Sequence, residues 1–513
     1  MQSTGSLDPT KGIVLPAPAT ATTAPSSGER HRSHWLVLVV VCFAQFMVVL
    51  DATIVNVALP SIQSGLDLSR ANLQWIVNAY TLVFGGFLLL GGRMADLTGR
   101  RRMFVIGTLI FTAASAANAM AQSGEMLIVA RGFQGLGGAM ISPAALSIIT
   151  TSYAEGPERT KALSVWGGIA AGGAAFGLLL GGILTETLSW HWNFIVNVPI
   201  GLFVVLAALK IVPESRAETT HRHFDVAGAA TVTTGLMLLV YAIVKAEEWG
   251  WGSIRLLIWA GGAIVLLASF VAIELRSPAP LVRLSFFRMR WISAANLTMF
   301  AVAGGMFAMF YFASLYVQQI LGFGPMKAGF AFLPTSLTIM VGAVVSQQLV
   351  GRVGVKPVAM AGMTLAATGL SILAWTTTID GTYPRMLIGM LPMALGMGMT
   401  FVPLTLVATS GVEAADAGLA SGTFNTSQQI GGALGLAVLA TLANDKTASM
   451  LNSATNAADQ LRQQTALVAG FQVAFTTAAG LMVFGLLLVS LLLRQRDVAH
   501  VHVGAIEAGQ AAA

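Results

Sequence analysis

The sequence predicts an all-α polytopic membrane protein, and three observations carry that prediction. Of its 513 residues, 55% are hydrophobic and only 10% are charged, with a mean hydropathy of +0.76, far from the composition of soluble domains. Its apolar stretches repeatedly reach the ~20 residues that cross a bilayer as a helix. They lack the alternation of polar and apolar residues over ~10 positions that marks the strands of an outer-membrane barrel.

Taken in order, the stretches place spans near residues 35–59, 73–91, 103–121, 126–150, 162–184, 193–212, 226–244, 254–275, 293–317, 327–349, 357–377, 385–409, 417–443 and 467–493, fourteen in all. The basic residues between them give direction. With the amino terminus in the cytoplasm, twenty of the 28 Lys and Arg fall in cytoplasmic segments. Seven fall outside (Arg70, Lys245, Arg255, Lys327, Arg385, Lys446 and Arg462), and Arg131 lies within a span. This bias puts both termini in the cytoplasm. The formal charge of +6 is therefore a topology signal and not a nucleic-acid footprint.

The flanks and minor features add exclusions. Residues 1–34 are rich in Pro, Ala, Ser and Thr and read as a disordered cytoplasmic tail. The first apolar run starts too late and is too long for a signal peptide. The lone Cys42 excludes an intrachain disulfide and a multi-cysteine metal site. Trp190, Trp192, Trp249 and Trp251 fall at outer helix ends, where aromatic belts form.

An internal echo suggests how the spans are grouped. Gly92 to Arg102 joins spans 2 and 3, and Gly351-Arg352-Val353-Gly354-Val355-Lys356-Pro357 joins spans 10 and 11. Span 5 is glycine-rich, and span 13, again eight later, carries Gly418, Gly422, Gly431, Gly432 and Gly435. An offset of eight fits two six-helix bundles separated by an inserted helix pair. The expected units are a tail at 1–34, an amino-terminal bundle at 35–212, a linker with helices 7 and 8 at 213–275, a carboxy-terminal bundle at 276–493 and a tail at 494–513. Parallel halves of this kind bind substrate between them and rock to alternate access.

Two charges break the apolar pattern. Asp51 interrupts span 1 and Arg131 interrupts span 4. Charges at membrane depth are costly and commonly mark a substrate or proton pathway. At ~1.5 Å rise per residue, both lie roughly 8–10 Å from the outer ends of their helices, at a shared depth. A carboxyl group's affinity for a proton depends on burial and on nearby charge, so rearrangement of such a pair can drive protonation and release. A static ion pair joining helices 1 and 4 is the plainer alternative. In the loop from Gly92 to Arg102, Gly92 and Gly99 permit a tight connection. Asp96 among the arginines pairs locally or sits against a facing helix terminus, or the loop is a solvated basic turn.

Several longer runs narrow the reading. Leu50-Asp51-Ala52-Thr53-Ile54-Val55-Asn56-Val57-Ala58-Leu59-Pro60, the Gly92–Arg102 loop, Arg131-Gly132-Phe133-Gln134-Gly135-Leu136-Gly137-Gly138 and Trp190-His191-Trp192-Asn193-Phe194 with Asn197-Val198-Pro199-Ile200-Gly201 occur in this order. Together they resemble the fourteen-helix drug:proton antiporter family of the major facilitator superfamily, over residues 35–493. The resemblance implies proton coupling at Asp51 and Arg131, with Asp51 serving protons, a cationic substrate, or both. It also implies a conformational latch at Gly92, Asp96, Gly99, Arg100 and Arg101 that holds the two halves in the outward-open state. Span 5 departs from the pattern. It reads Gly177-Leu178-Leu179-Leu180-Gly181-Gly182, where the family has a Gly-Pro pair before the last two glycines. The helix keeps a backbone hydrogen bond there, and the glycine face of Gly173, Gly177, Gly181 and Gly182 still permits close packing.

The residues expected to line a substrate cavity are Gln45, Trp75, Asn78, Tyr80, Trp166, Phe310, Tyr311, Gln318, Phe401, Asn425 and Gln428. Aromatic faces near one carboxylate suit lipophilic cations, and the 23 methionines suit varied ligands. The expected function is export of cationic or neutral lipophilic compounds across a bacterial inner membrane in exchange for protons. A nutrient symporter of the same fold is the alternative. No paired carboxylates, His/Cys cluster or phosphate-binding loop supports an enzyme. The expected partners are the small substrate, protons and membrane lipids, for a monomer with no cofactor or metal and no nucleic acid. The energy source is the proton gradient.

Overall fold

The computed structural model describes residues 27–153, 157–216, 225–278, 280–282, 284–409, 417–452 and 460–494. No strand occurs among them. The helices are α1 (Ser27–Gly65), α2 (Arg70–Thr98), α3 (Arg100–Ala119), α4 (Gly124–Ser152), α5 (Pro157–Thr187), α6 (Trp192–Ile195), α7 (Asn197–Ile211), α8 (Val226–Trp249), α9 (Ile254–Arg276), α10 (Arg290–Gln319), α11 (Pro325–Val353), α12 (Val355–Thr376), α13 (Tyr383–Thr409), α14 (Ala417–Asn452) and α15 (Gln460–Leu492), with a short 3-10 turn at Leu284–Arg288. Among the described residues, twelve helical segments are long and apolar enough to cross a membrane, with α6 and α7 counted as one, Trp192–Ile211. α5 and α14, at 31 and 36 residues, also have the length to cross a membrane.

Local chemistry sets the ends. Ser69, Ser123 and Ser253 each accept a hydrogen bond from a backbone N–H of the first turn of the helix that follows. Asp225 does the same for α8 at 2.6 Å. Such caps satisfy donors that have no partner within the helix. Gly99, with φ +124°, joins α2 to α3 without an intervening loop. α1 begins at Ser27, eight residues before the span expected at 35, so the end of the expected disordered tail is helical. The rest of that tail, residues 1–26, and the expected tail beyond Arg494 lie outside the described residues.

Helices α1 to α5 and α7 pack on one another, and α10 to α15 do likewise. α8 and α9 form a hairpin, and α8 touches both α2 and α14. The two groups meet through α2 with α14, α5 with α11, and α1 with α10. At the end opposite the Gly92–Arg102 loop, bonds cross between them. Ser314 Oγ donates to the Asn56 carbonyl at 2.7 Å, Gln318 Nε2 to the Val57 carbonyl at 2.9 Å, and the Met326 N–H to Glu186 Oε2 at 2.8 Å.

Small residues bring the backbones close, as expected where helices pack without a hydrophobic drive between them. A Cβ on Gly435 of α14 would collide with Gly304 Cα of α10, and one on Gly396 of α13 would fall against the Gly362 carbonyl of α12. Overpacking of this kind costs about 1–3 kcal/mol. Gly435→Leu is therefore expected to lower the thermal midpoint of detergent-purified protein by several degrees. Gly480→Leu, with open space before it, leaves the midpoint unchanged in the same assay.

Candidate functional site: a buried ion pair joining five helices

The glycines after Arg131 prepare the site. On α4, a Cβ at Gly135 would press on the Tyr80 carbonyl and Phe84 of α2, and one at Gly137 would lie 2.6 Å from the Phe111 nitrogen of α3. This close approach lets side chains of α4 reach both neighbours. Arg131 and Asp51 are 1% and 0% exposed and in direct contact, Nη1 to Oδ2 at 2.5 Å.

The remaining hydrogen-bond partners come from α4 itself and from three further helices, α2, α3 and α7. Asp51 Oδ1 accepts from Gln134 Nε2 at 2.7 Å and from Asn197 Nδ2 of α7 at 3.0 Å. Arg131 Nε donates to the Ile76 carbonyl of α2 at 3.1 Å, and Nη1 also donates to Gln134 Oε1 at 2.7 Å. Its guanidinium carbon lies 4.3 Å from the centre of the Tyr80 ring and 5.9 Å from that of Phe194. Gln134 is the hub. It donates to Asp51 and to Ser115 Oγ, and accepts from Arg131 and Asn118 Nδ2, each at 2.7 Å. A charge pair taken out of water persists only when its remaining donors and acceptors are met; here both Asp51 oxygens and Arg131 Nε and Nη1 are bonded, while Asn118 Oδ1 and Asn197 Oδ1 at the edge of the network are bare among the described residues. The network also gives Arg131 other acceptors and an aromatic face to rest on if the carboxylate is neutralised.

The basic loop forms a second cluster. Asp96 pairs with Arg100, Oδ1 to Nη2 at 2.9 Å and to Nε at 3.0 Å. The Arg100 N–H donates to the Ser215 carbonyl, the Arg101 N–H to Glu214 Oε1 at 3.1 Å, and Arg101 Nη1 to the Val212 carbonyl. A Cβ on Gly99 would lie 2.7 Å from the Glu214 carboxylate, and one on Gly92 would lie 3.3 Å from Pro143. The stretch expected as a loop is thus the helical junction of α2 and α3 around Gly99, fastened to the segment of chain leaving α7 within its own half.

The glycine face of α5 divides. Gly173, Gly177 and Gly181 face Val49, Leu50, Thr53 and Ile54 of α1, while Gly182 faces Pro325 and Met326 of α11. The carbonyl of Leu178, at the position where proline was expected, would lie 2.6 Å from a Cβ on Gly329 of α11. The other expected residues scatter. Tyr80 belongs to the ion-pair site. Gln45 and Asn78 are buried with unpartnered amide atoms, and the Trp166 Nε1 is likewise unpartnered. Trp75 packs against Tyr241 of α8, its ring centre 6.4 Å away, in a cluster that includes Ala433 and Ala437 of α14. Phe310 packs on Phe332, Tyr311 on Phe312, and Phe401 on the large core between α10 and α15. Gln318 ties the halves together. Asn425 is exposed on α14, and Gln428 is half-buried there.

Sequence reasoning missed Ser115, Asn118, Gln134, Asn197 and Glu214. Gln134 and Asn197 sit inside runs already singled out, and Ser115 and Asn118 are polar residues one helical turn apart in an apolar span. Glu214 carried no signal, because its partners lie more than a hundred residues away.

The sequence matches the Major Facilitator Superfamily over residues 41–436. It is 39% identical over 416 residues to the cephamycin export protein CmcT of Amycolatopsis lactamdurans, covering 80% of this chain and 85% of that protein. It is 37% identical over 471 residues to the puromycin resistance protein pur8 of Streptomyces alboniger, covering 90% and 92%. Among solved structures, a bacterial homologue of the human lysosomal transporter Spinster superposes with a TM-score of 0.63 at 16% identity, over 92% of this chain and 99% of that one.

Breaking the buried pair from one side leaves an uncompensated charge, at a cost of about 3–5 kcal/mol. Asp51→Asn is therefore expected to lower the thermal midpoint markedly. The double variant Asp51→Asn/Arg131→Gln, which buries no charge, recovers most of that loss in the same melting assay.

Proposed function

We infer the function from one premise: this chain belongs to the Major Facilitator Superfamily. It is a transporter and not an enzyme. We propose that it exports lipophilic, drug-like compounds, cationic or neutral, across a bacterial inner membrane in exchange for protons. Relatives named for export of or resistance to cephamycin, puromycin and lincomycin support the substrate class. The observation that carries the exchange is the buried Asp51–Arg131 pair with its second set of acceptors.

A proton reaching Asp51 cancels its charge, and Arg131 then keeps Gln134, the Ile76 carbonyl and the Tyr80 face. Departure of the proton restores the pair. Because five helices contribute to the network, the two protonation states favour different helix packings, which is the differential energy alternating access needs. The gradient supplies the energy, with no cofactor. In this reading Asp96, Gly92, Gly99, Arg100 and Arg101 gate the cytoplasmic side, and the α5 glycine face keeps α1 and α11 close. The cavity residues expected from the sequence, apart from Trp75 and Asn78, meet the substrate as the halves part, and the protein works as a monomer among lipids.

Two further supports concern topology. Tyr153 Oη donates to the His34 carbonyl, whereas the Trp190 ring lies beside Gly65 at the far end of α1. The chain between them, α5, therefore traverses the bundle. α14 likewise runs from Gly422 beside Leu89 to Asn444, which shares a small cavity with Gln63 and Leu73. Counting both gives fourteen spans, with the basic loops and both termini in the cytoplasm. Residues 35–212 and 276–493 are then the two halves, and 213–275 is the inserted pair with its linker. The bonds between α1 and α10 and between α5 and α11 join the halves on what is then the outer side.

Dye efflux from energised everted vesicles tests the reading. Wild type is expected to move a lipophilic cationic dye, and an uncoupler to stop it. Arg131→Ala is expected to reduce the rate by at least about tenfold, the loss of roughly 1.4 kcal/mol or more. Efflux that persists unchanged after the proton gradient collapses contradicts antiport.

A further inference from the structure

Two carboxamides on α2 stand without partners. Gln74 and Asn78 are 1% and 0% exposed, and none of their four side-chain nitrogen and oxygen atoms makes a hydrogen bond among the described residues. An unpaired buried polar group costs about 1–3 kcal/mol, and buried polar groups are otherwise almost always satisfied. Several other buried side chains leave one polar atom bare, but among the described residues only these two leave both, and they do so within one turn of one helix.

Their surroundings locate them. Spacing of four residues stacks the two on one face of α2, and Thr81 and Gly85 continue that stripe. Gly85 meets α14, where a Cβ would lie 2.7 Å from Gln429 Cβ, and Thr426 Oγ1 reaches the Gly85 carbonyl at 3.4 Å. Leu89, further along α2, meets Gly422, earlier on α14, so the two helices run antiparallel. The register of Gly85 with Gln429 places Asn78 level with Leu436 and Gln74 level with Ala440. Leu73 and Ala440 line one small cavity, in keeping with that register. Both amides therefore lie at the seam between the two halves, level with apolar residues that offer no hydrogen bond. They also flank the turn of α2 whose Ile76 carbonyl and Tyr80 ring hold Arg131.

We propose that Gln74 and Asn78 form a carboxamide subsite that hydrogen-bonds neutral donor and acceptor groups of the transported compound, an amide, hydroxyl or ketone, when the α2–α14 seam opens. The proposal rests on the efflux reading and narrows its substrate class. Each carboxamide presents two N–H donors and a carbonyl acceptor, so the pair recognises polar neutral groups and adds nothing for a cation that lacks them. Occupancy satisfies atoms that the closed seam leaves bare, so the compound favours the open form by its differential affinity. The same turn of α2 then carries that movement to Arg131.

The double variant Gln74→Leu/Asn78→Leu keeps the volume and removes the polar atoms. Replacing unpaired buried polar groups by apolar ones is neutral or stabilising, so its thermal midpoint is expected to equal or exceed that of wild type. Uptake into everted vesicles is measured for chloramphenicol, a neutral compound with amide and hydroxyl groups, and for tetraphenylphosphonium, a cation with no hydrogen-bonding group. The expected result is a KM for chloramphenicol raised at least about tenfold, with that for tetraphenylphosphonium within about twofold of wild type. The subsite is overturned if chloramphenicol transport is unaltered, if both compounds are impaired alike, or if wild type moves the cation and not chloramphenicol. A wild type that moves neither sinks the efflux reading, and the subsite with it.

Discussion

A carboxylate and a guanidinium taken out of water constrain everything around them. Each ion loses several kcal/mol of hydration on burial, and their attraction offsets that loss only where every remaining donor and acceptor is satisfied. Here the satisfaction is distributed. Asp51 stands on α1, Arg131 and Gln134 on α4, Ser115 and Asn118 on α3, the Ile76 carbonyl on α2 and Asn197 on α7. The glycines of α4 exist in this arrangement because side chains there must reach two neighbouring helices at once. A change of charge at one atom is thereby felt by five helices, a coupling that a pair held between two helices alone would lack.

The rest of the molecule supplies a frame in which such a change has somewhere to go. Within each group, backbones pack through small residues, and the groups are cohesive. Between the groups, hydrogen bonds from α10 to α1 and from α11 to Glu186 accompany glycine-mediated contacts of α5 with α11 and of α2 with α14. Those hydrogen bonds can be exchanged for bonds to water as the groups part, whereas the packing inside each group has no such replacement. Motion is therefore expected between the groups and not inside them. α8 touches both α2 and α14, which makes the inserted hairpin a strap across that seam.

Much of this was legible in the sequence. Each expected span falls on helix, the sixth on two (α6 and α7), and twelve helical segments among the described residues are long and apolar enough to cross a membrane, because a long apolar run has few alternatives in lipid. Asp51 and Arg131 were conspicuous because charge is rare in such runs. Their partners were less so: Gln134 and Asn197 are uncharged, and their role depends on which way each helix is turned. Trp75 shows the same limit from the other side. Its type suited a cavity, but its helix face meets Tyr241 of the inserted hairpin, a neighbour that no local pattern announces. Glu214 and the bare carboxamide of Gln74 were invisible for a related reason, since both take their meaning from chain more than a hundred residues distant.

The central claim is that Asp51 carries the exchanged proton, and proton movement itself is the most direct test. Purified protein in liposomes holding a pH-sensitive dye is given a gradient of transported compound, and the internal pH is followed. Wild type is expected to move protons against the direction of the compound. Asp51→Asn, paired with Arg131→Gln to keep the core neutral, is expected to equilibrate compound across the membrane with no accompanying pH change. Proton movement of wild-type size in that double variant would contradict the account.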